Sequence, residues 1–300
     1  MQGRLVQAKG GFYSVRGSGD ELVVCRARGR LKEKGLQLLV GDFVEVGEIV
    51  DGRGVIESVL PRRNRLTRPP VANVDLAIIV FSVKEPPLAL FFLDRIVLTA
   101  EKAGLGIFIC FTKTDLLKAD GLDSFLGIAE TYRACGYKVF FTSTKTGQGF
   151  QEIKLSLKGK VSALAGPSGV GKTSLINQLK PGLGLLSSPV SKKGKRGRQT
   201  TRDVSLIRLD RDTFIVDTPG FQRLDLEGFI PQDLADFFPE IRALGDHCRF
   251  GGCQHVAEPG CAVKEALKES KIASWRYEHY RSFLKEIKQK NVFSPKGEKK

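Results

Sequence analysis

The chain has 300 residues, with 48 basic against 33 acidic side chains and a net charge of +15. Its apolar content and charge fraction are those of a globular protein that folds in water, and no apolar run is long enough to span a bilayer. The length predicts about two domains, or three small ones, with ample chain for a real core.

The basic excess predicts a polyanionic partner, nucleic acid before membrane, because no basic amphipathic anchor is evident. Met1-Gln2-Gly3-Arg4 leads into polar and glycine residues rather than an apolar signal region, which predicts a cytoplasmic protein without a membrane partner. The cysteines are too few and too unevenly placed for a disulfide framework. Cys25, Cys110 and Cys135 sit singly among apolar neighbours and read as reduced core thiols, whereas the other three cluster near the C-terminus.

Residues 5–6, 12–15, 21–25, 42–46 and 54–60 are short β-type runs, punctuated by Gly10-Gly11, Gly17-Ser18-Gly19-Asp20, Gly41-Asp42 and Asp51-Gly52. Five short strands in this much chain predict a small barrel over residues 1–68, with an OB-fold the best match. Such barrels bind nucleic acid through a strand face and its loops, and Arg26, Arg28, Arg30, Lys32 and Lys34 would supply the charge. A structural barrel with a solvated basic loop accounts for the same residues equally well. Residues 61–70, arginine-rich and bounded by proline, read as a linker.

From residue 69 to 222 the pattern changes to alternating strands and helices. The continuous apolar run 74–81 predicts a strand buried on both faces of a parallel sheet. Helix 90–103, strand 106–111, helix 121–135, strand 138–141 and helix 150–157 follow, which is the signature of a doubly wound α/β domain with ligands at the C-terminal strand ends. Strand 161–165 then enters Gly166-Pro167-Ser168-Gly169-Val170-Gly171-Lys172-Thr173, and helix 173–179, which carries Ser174, leaves it. This is the spacing of a phosphate-binding loop. Glycines let the backbone wrap a polyphosphate and the following helix adds its positive end. Gly166 through Ser174 are therefore the expected phosphate-binding residues, with Lys172 reaching the β/γ-phosphates and the Thr173 hydroxyl holding Mg²⁺.

Two strand ends ahead of this loop carry base-recognition chemistry. Thr112-Lys113-Thr114-Asp115 resembles the guanine-specificity motif of GTPases, Asn-Lys-x-Asp, with Thr112 in place of Asn. A carboxylate at Asp115 can accept from the guanine N1–H and exocyclic amine, a donor pair that adenine lacks, and Lys113 would lie along the base plane. Thr142-Ser143-Thr144-Lys145 stands where a Ser-Ala-Lys loop closes over the base, which adds Ser143 to the expected site.

Two further segments follow the phosphate loop. The basic, glycine-rich stretch 191–202 occupies the position of switch I, where Thr201, favoured over Thr200, would complete a Mg²⁺ shell. Its charge would serve RNA contact or simply be solvated. Strand 213–216 delivers Asp217-Thr218-Pro219-Gly220, a switch II in which Asp217 faces Mg²⁺ through water and the Gly220 N–H meets the γ-phosphate. In Ras-like GTPases the phosphate loop comes first and the base loops last. Here Asp115 and Ser143 precede Lys172, so the domain reads as circularly permuted.

In the last segment, 223–300, Cys248-x4-Cys253-x-His255-x5-Cys261 gathers three thiols and an imidazole within fourteen residues, a tetrahedral Zn²⁺ set with no open position for catalysis. His247 falls outside that spacing. Residues 274–290 read as an amphipathic helix with Tyr280, Phe283, Leu284 and Ile287 on one face.

A small β-barrel, a permuted GTPase and a Cys3His module in this order resemble the ribosome small-subunit-dependent GTPase A family (RsgA, YjeQ or YloQ) over nearly the whole chain. The resemblance implies an α/β, circularly permuted P-loop GTPase domain between an N-terminal OB-fold and a mainly helical zinc-binding domain. It implies GTP/GDP, Mg²⁺ and one Zn²⁺ as ligands, and GTP hydrolysis to GDP and phosphate. The task it implies is late maturation of the 30S subunit, with binding to 16S rRNA near the decoding region and stimulation by the subunit. A monomer, with other assembly factors as further partners, is expected. Where the family often has histidine before the paired switch I threonines, this chain has Gln199, and Phe221 follows Asp-Thr-Pro-Gly where Ras-like enzymes place glutamine. Either Gln199 positions the attacking water or the subunit supplies that group. Two other readings stand beside this one: a permuted GTPase serving the large subunit, and a nucleotide-gated RNA-binding module that does not hydrolyse.

Overall fold

The structure is a computed structural model and describes residues 1–33, 35–67, 69–185, 204–217, 226 and 228–293. The chain forms two compact units, one of Met1–Leu88, Ala103–Leu117 and Phe140–Arg223, the other of Ala89–Lys102, Lys118–Val139 and Leu224–Lys300.

The first unit opens with a five-stranded barrel: β1 (Gln2–Lys9), β2 (Phe12–Gly17), β3 (Leu22–Ala27), β4 (Phe43–Val46) and β5 (Arg53–Val59), with one helical turn, α1 (Gly29–Glu33), after β3. Period-two alternation sends Leu5, Val15, Val23, Cys25, Val44 and Ile56 inward, where all are buried. The strands run in the order β1-β2-β3-β5-β4, and β4 returns to β1 through Gln2↔Glu45 and Arg4↔Phe43, as an OB-fold requires. The ladder between β1 and β2 shifts register between Leu5 and Gln7, and beyond this irregularity Gln7 pairs with Ser205 of a later strand. The outer edge of β1 is thus divided between closing the barrel and extending the sheet.

The segment expected as a linker is folded. β6 (Arg65–Thr67) and β7 (Pro70–Ala72) form a hairpin with Leu66 and Val71 buried. Arg62 forks onto the buried Asp42 carboxylate at 2.6 and 2.8 Å, and Asn64 exchanges two hydrogen bonds with the Val74 backbone, at 2.7 and 3.0 Å. The arginines that made this stretch look like a linker are in part its fastenings.

The nucleotide-type sheet follows: β8 (Leu76–Ser82), β9 (Gly106–Thr112), β10 (Lys138–Thr142), β11 (Val161–Ala165), β12 (Ser205–Asp210) and β13 (Thr213–Asp217). The spatial order is β10-β9-β8-β11-β13-β12, continuing through β1 into the barrel as one eleven-stranded sheet. β8 is parallel to β9 and to β11, and β11 to β13, while β12 runs antiparallel beside β13. Every residue of β8 is buried, as its unbroken apolar run predicts. Ile153 of α4 (Phe150–Ser156) and Leu175, Ile176 and Leu179 of α5 (Lys172–Leu179) cover one face of the sheet. β12 was not anticipated; Ser-Leu-Ile-Arg-Leu-Asp is short, half-buried and charged, and although it forms a tight hairpin with β13, its other neighbour, β1, is distant in sequence.

The second unit is helical: α2 (Leu90–Lys102), α3 (Ala119–Ala134), a 3-10 turn at Leu234–Phe237, α6 (Pro239–Gly245), α7 (Ala262–Lys268) and α8 (Ser274–Phe293). The expected face of α8, with Tyr280, Phe283, Leu284 and Ile287, is buried against Phe238, Ile241 and Val263. Through this core runs an ionic network that the sequence did not suggest. Arg276, 1% exposed, reaches Asp94 at 2.5 Å and Glu240 at 2.6 Å, and Asp94 also accepts from the Tyr132 hydroxyl at 2.6 Å. Its other oxygen lies 2.6 Å from His279 Nδ1. Cys25 and Cys110 are buried as expected, but Cys135 departs from expectation. It is only partly buried, and its thiol donates to the Glu240 carboxylate at 3.2 Å. Among the described residues, no helix is long and apolar enough to cross a membrane.

Candidate nucleotide site and metal centre

β11 hands the chain to the phosphate loop beside β8. At Gly166 φ is +134°, and a Cβ there would stand 2.1 Å from the Val80 carbonyl oxygen, so only glycine lets the two backbones approach this closely. Val170 is buried and anchors the loop, and α5 starts at Lys172 without a side-chain cap on its first turn, leaving N–H groups for an anion. Thr173 and Ser174 follow on that turn, half-buried. The Lys172 ammonium lies over the loop, 2.9 Å from the Gly166 carbonyl and 2.5 Å from that of Pro167. Burial pulls it below the ordinary lysine range.

The end of β9 is bonded directly to this loop. The buried Thr112 hydroxyl donates to the Val170 carbonyl and lies 3.3 Å from that of Phe81. Lys113 adopts the left-handed conformation, φ 59°, which aims its ammonium at the Gly169 carbonyl, 3.0 Å away, and at that of Glu85. Asp115 stands in the 3-10 turn Thr114–Leu116, and one of its carboxylate oxygens is 2.6 Å from Ser143 Oγ. Ser143 Oγ also accepts from the N–H groups of Lys145 and Thr146, at 3.2 and 3.4 Å, so its own proton points to Asp115. The second Asp115 oxygen is 3.2 Å from the Lys145 ammonium. The Ser143 hydroxyl first, and then Lys145, hold the Asp115 carboxyl below its usual range.

The structure therefore brings together Thr112, Lys113, Asp115, Ser143 and the phosphate loop. A pocket between them is lined by Thr112, Lys113, Thr142, Thr144, Gly171 and Ser174, with Phe150 and Leu175 as its apolar walls. Sequence reading missed those two walls, because each looks like any other core residue of an amphipathic helix. Thr114 turns to Gln148 instead, at 3.4 Å. Asp217 ends β13, one residue beyond the Val216↔Ala163 pair, and so lies at the same sheet edge as the phosphate loop. Gln199, Thr200, Thr201 and Gly220, like the side chain of Asp217, lie outside the described residues.

In the second unit the Sγ atoms of Cys248, Cys253 and Cys261 and a ring nitrogen of His255 all lie within 4.8 Å of one another. Cys248 is 3.9 Å from Cys261, and His255 Nδ1 is 3.5 and 3.4 Å from these two sulfurs. A tetrahedron with Zn–S bonds of about 2.3 Å has edges of about 3.8 Å, so the donor set fits that ion. Glu258 braces the ligand loop by accepting from the N–H groups of Gln254, Val256 and Ala257 at 2.8–3.0 Å. Tyr277 and Tyr280 of α8 donate to the carbonyls of His255 and Gln254, at 2.6 and 2.9 Å. His247 is exposed and outside the cluster.

On the barrel, Arg26 lies over the half-exposed Phe12 ring at 4.8 Å, whereas Arg28 and Arg30 both pair with Glu57. The side chains of Lys32 and Lys34 lie outside the described residues.

A sequence profile of the RsgA GTPase family matches residues 59–227, and one of the RsgA N-terminal domain matches residues 2–56. The chain is 45% identical over 287 residues to the small ribosomal subunit biogenesis GTPase RsgA of Moorella thermoacetica, covering 96% of this chain and 97% of that one. With the protein of the same name from Caldanaerobacter subterraneus it shares 42% identity over 291 residues, 97% of each. The crystal structure of YjeQ from Thermotoga maritima superposes with a TM-score of 0.84 at 38% identity, over 95% of this chain and 98% of that one. YloQ, whose crystal structure is described as a circularly permuted GTPase, gives 0.84 at 33% identity over 99% and 96%.

Proposed function

Because this chain belongs to the RsgA GTPase family, we propose that it hydrolyses GTP to GDP and phosphate in the biogenesis of the small ribosomal subunit. The observation that carries the reading is the Asp115 carboxylate, fixed by Ser143 on a loop whose neighbours Thr112 and Lys113 are bonded to the phosphate loop. A guanine-reading acceptor and a polyphosphate cradle thereby form one site.

In that site the N–H groups of the loop and of the first turn of α5, with Lys172, bind the phosphates, and Asp115 selects the base. The loop holds the γ-phosphoryl in line for attack, and Lys172 with the loop N–H groups stabilises the charge that spreads over its oxygens. Thr173, Thr201 and Asp217 would hold Mg²⁺, which would supply positive charge to offset that of the phosphates. The Gly220 N–H meets the γ-phosphate, and Gln199 positions the attacking water. Cys248, Cys253, His255 and Cys261 would hold Zn²⁺, which serves folding. The barrel, residues 1–68, binds 16S rRNA beside the GTPase segment 69–222 and the zinc segment 223–300. Nucleotide state changes the pose of that last segment on the subunit. The protein acts as a cytoplasmic monomer.

The test is phosphate release from GTP and from ATP, with 30S subunits, with 50S subunits and alone. Hydrolysis of GTP stimulated by 30S, and competed by GDP but not by ADP, is the expected result. Stimulation by 50S would favour the large-subunit reading, and GTP binding without turnover on either subunit would make the protein a nucleotide-gated binder.

A further inference from the structure

Both oxygens of the Asp115 carboxylate already carry donors from the chain itself: the Ser143 hydroxyl at 2.6 Å on one and the Lys145 ammonium at 3.2 Å on the other. The two donors differ in how firmly they are held. Ser143 is buried and bonded on three sides, so it stays. The Lys145 side chain is 74% exposed on a flexible stem, and the ion pair with Asp115 is its bond to this site.

A guanine edge presents two donors to a carboxylate, the ring N1–H and the 2-amino group, and needs an oxygen for each. The oxygen held by Ser143 keeps a lone pair for one of them. The other oxygen must accept the second donor while still paired with the ammonium, so the amino group and the ammonium share its charge and the space around it. Hypoxanthine has the same N1–H and no 2-amino group, so it can bond the oxygen that Ser143 holds and leave the Lys145 pair intact.

We propose that Lys145 competes with the guanine 2-amino group for Asp115, and so sets how sharply this site separates guanine from hypoxanthine nucleotides. The inference rests on the guanine reading of Asp115 given above. Lys145 is a tuning residue rather than a catalytic one, because its partner is the carboxylate and not the reacting phosphates. An exposed pair of this kind gives a modest effect, about two- to fivefold in affinity. It should also fade with ionic strength, as exposed ion pairs do.

The test measures GDP, IDP and ADP affinities by competition against a fluorescent GDP derivative, on the full-length protein and its Lys145→Ala, Lys145→Arg and Asp115→Asn variants. The expected result is GDP binding about two- to fivefold tighter in Lys145→Ala with IDP unchanged, Lys145→Arg close to the parent, and the difference lost at about 0.5 M salt. A GDP-to-IDP ratio that is the same in the parent and in Lys145→Ala overturns the proposal. So does a weakening of both nucleotides together, which marks Lys145 as packing on the base. If the parent does not prefer GDP to ADP, or if Asp115→Asn keeps that preference, the guanine reading itself fails. With that preference present in the parent and lost in Asp115→Asn, a flat GDP-to-IDP ratio removes only the role of Lys145.

Discussion

The Thr112 hydroxyl donates to the carbonyl of Val170, and through that bond the loop that reads the base is tied to the loop that wraps the phosphates. The residue is buried and its one proton is committed, since Phe81 O, at 3.3 Å, is the more distant acceptor. Threonine keeps a hydroxyl where the usual motif has an amide, and here that single donor bonds across to the phosphate loop.

Removing the hydroxyl while keeping the shape isolates this bond. Thr112→Val leaves the Val170 carbonyl without its donor, a cost of about 1–3 kcal/mol for a buried acceptor. GDP affinity is expected to fall roughly tenfold, whereas Thr112→Ser stays near the parent. Fluorescent nucleotide titration reads both, and equal affinity in Thr112→Val would show that the tie is dispensable.

The Arg276 network makes a sharper prediction for stability. Asp94 is fully buried and Arg276 nearly so, which means that losing either partner strands a charge. Arg276→Met and Asp94→Asn should each destabilise the protein by about 3–5 kcal/mol, and the double variant by much less than their sum. Denaturant unfolding of the four proteins closes the cycle. Additive losses would mean that the two side chains act separately.

Glu258 predicts how the metal loop responds to acid. Burial alone would raise its carboxyl, but the N–H groups of Gln254, Val256, Ala257 and its own residue outweigh this and hold it at about 2. A carboxyl depressed in the folded state stabilises above its unfolded value, near 4.5, and loses that contribution as pH falls toward 2. Zinc release to a chelator at neutral pH should be several times faster in Glu258→Gln than in the parent. The stability gap between them, measured by denaturant, should close between about pH 4.5 and 2. A gap that stays constant over that range would assign the bracing to something other than the charge.

For hydrolysis, the expectation at Gln199 concerns turnover rather than binding. Gln199→Ala should lower 30S-stimulated phosphate release by about tenfold or more while GTP affinity holds. A variant as fast as the parent removes Gln199 from the mechanism and leaves the positioning group to the subunit.

The readable parts of this chain were those whose chemistry is local. The phosphate loop, Thr112 to Asp115 and the Cys3His spacing each compress a site into a few residues, and the buried runs of β8 and β9 carry their own signature. What stayed hidden depends on tertiary pairing that no short motif announces. β12 is a strand because β13 and β1 flank it, and the β6–β7 hairpin stands because Asp42, Asn73 and Val74 receive its polar groups. The same holds for Arg276. An arginine early in an amphipathic helix reads as surface until Asp94 and Glu240 arrive from elsewhere in the chain. Lys145 was read only as part of a loop matching a motif, and its pairing with Asp115 depends on two loops converging.

The divided edge of β1 has a consequence for synthesis. The barrel strands emerge from the ribosome first, yet the half of β1 beyond Leu5 waits for Ser205, about 200 residues later. At roughly 5–20 residues per second, that half-strand stays open for about 10–40 s on each nascent chain. An unpaired edge is a template for other strands, and here it is brief in length and carries Gln7 and Lys9. Those two polar side chains guard a seam that the finished sheet later closes, so replacing them with valine should leave the mature protein stable but increase aggregation during translation.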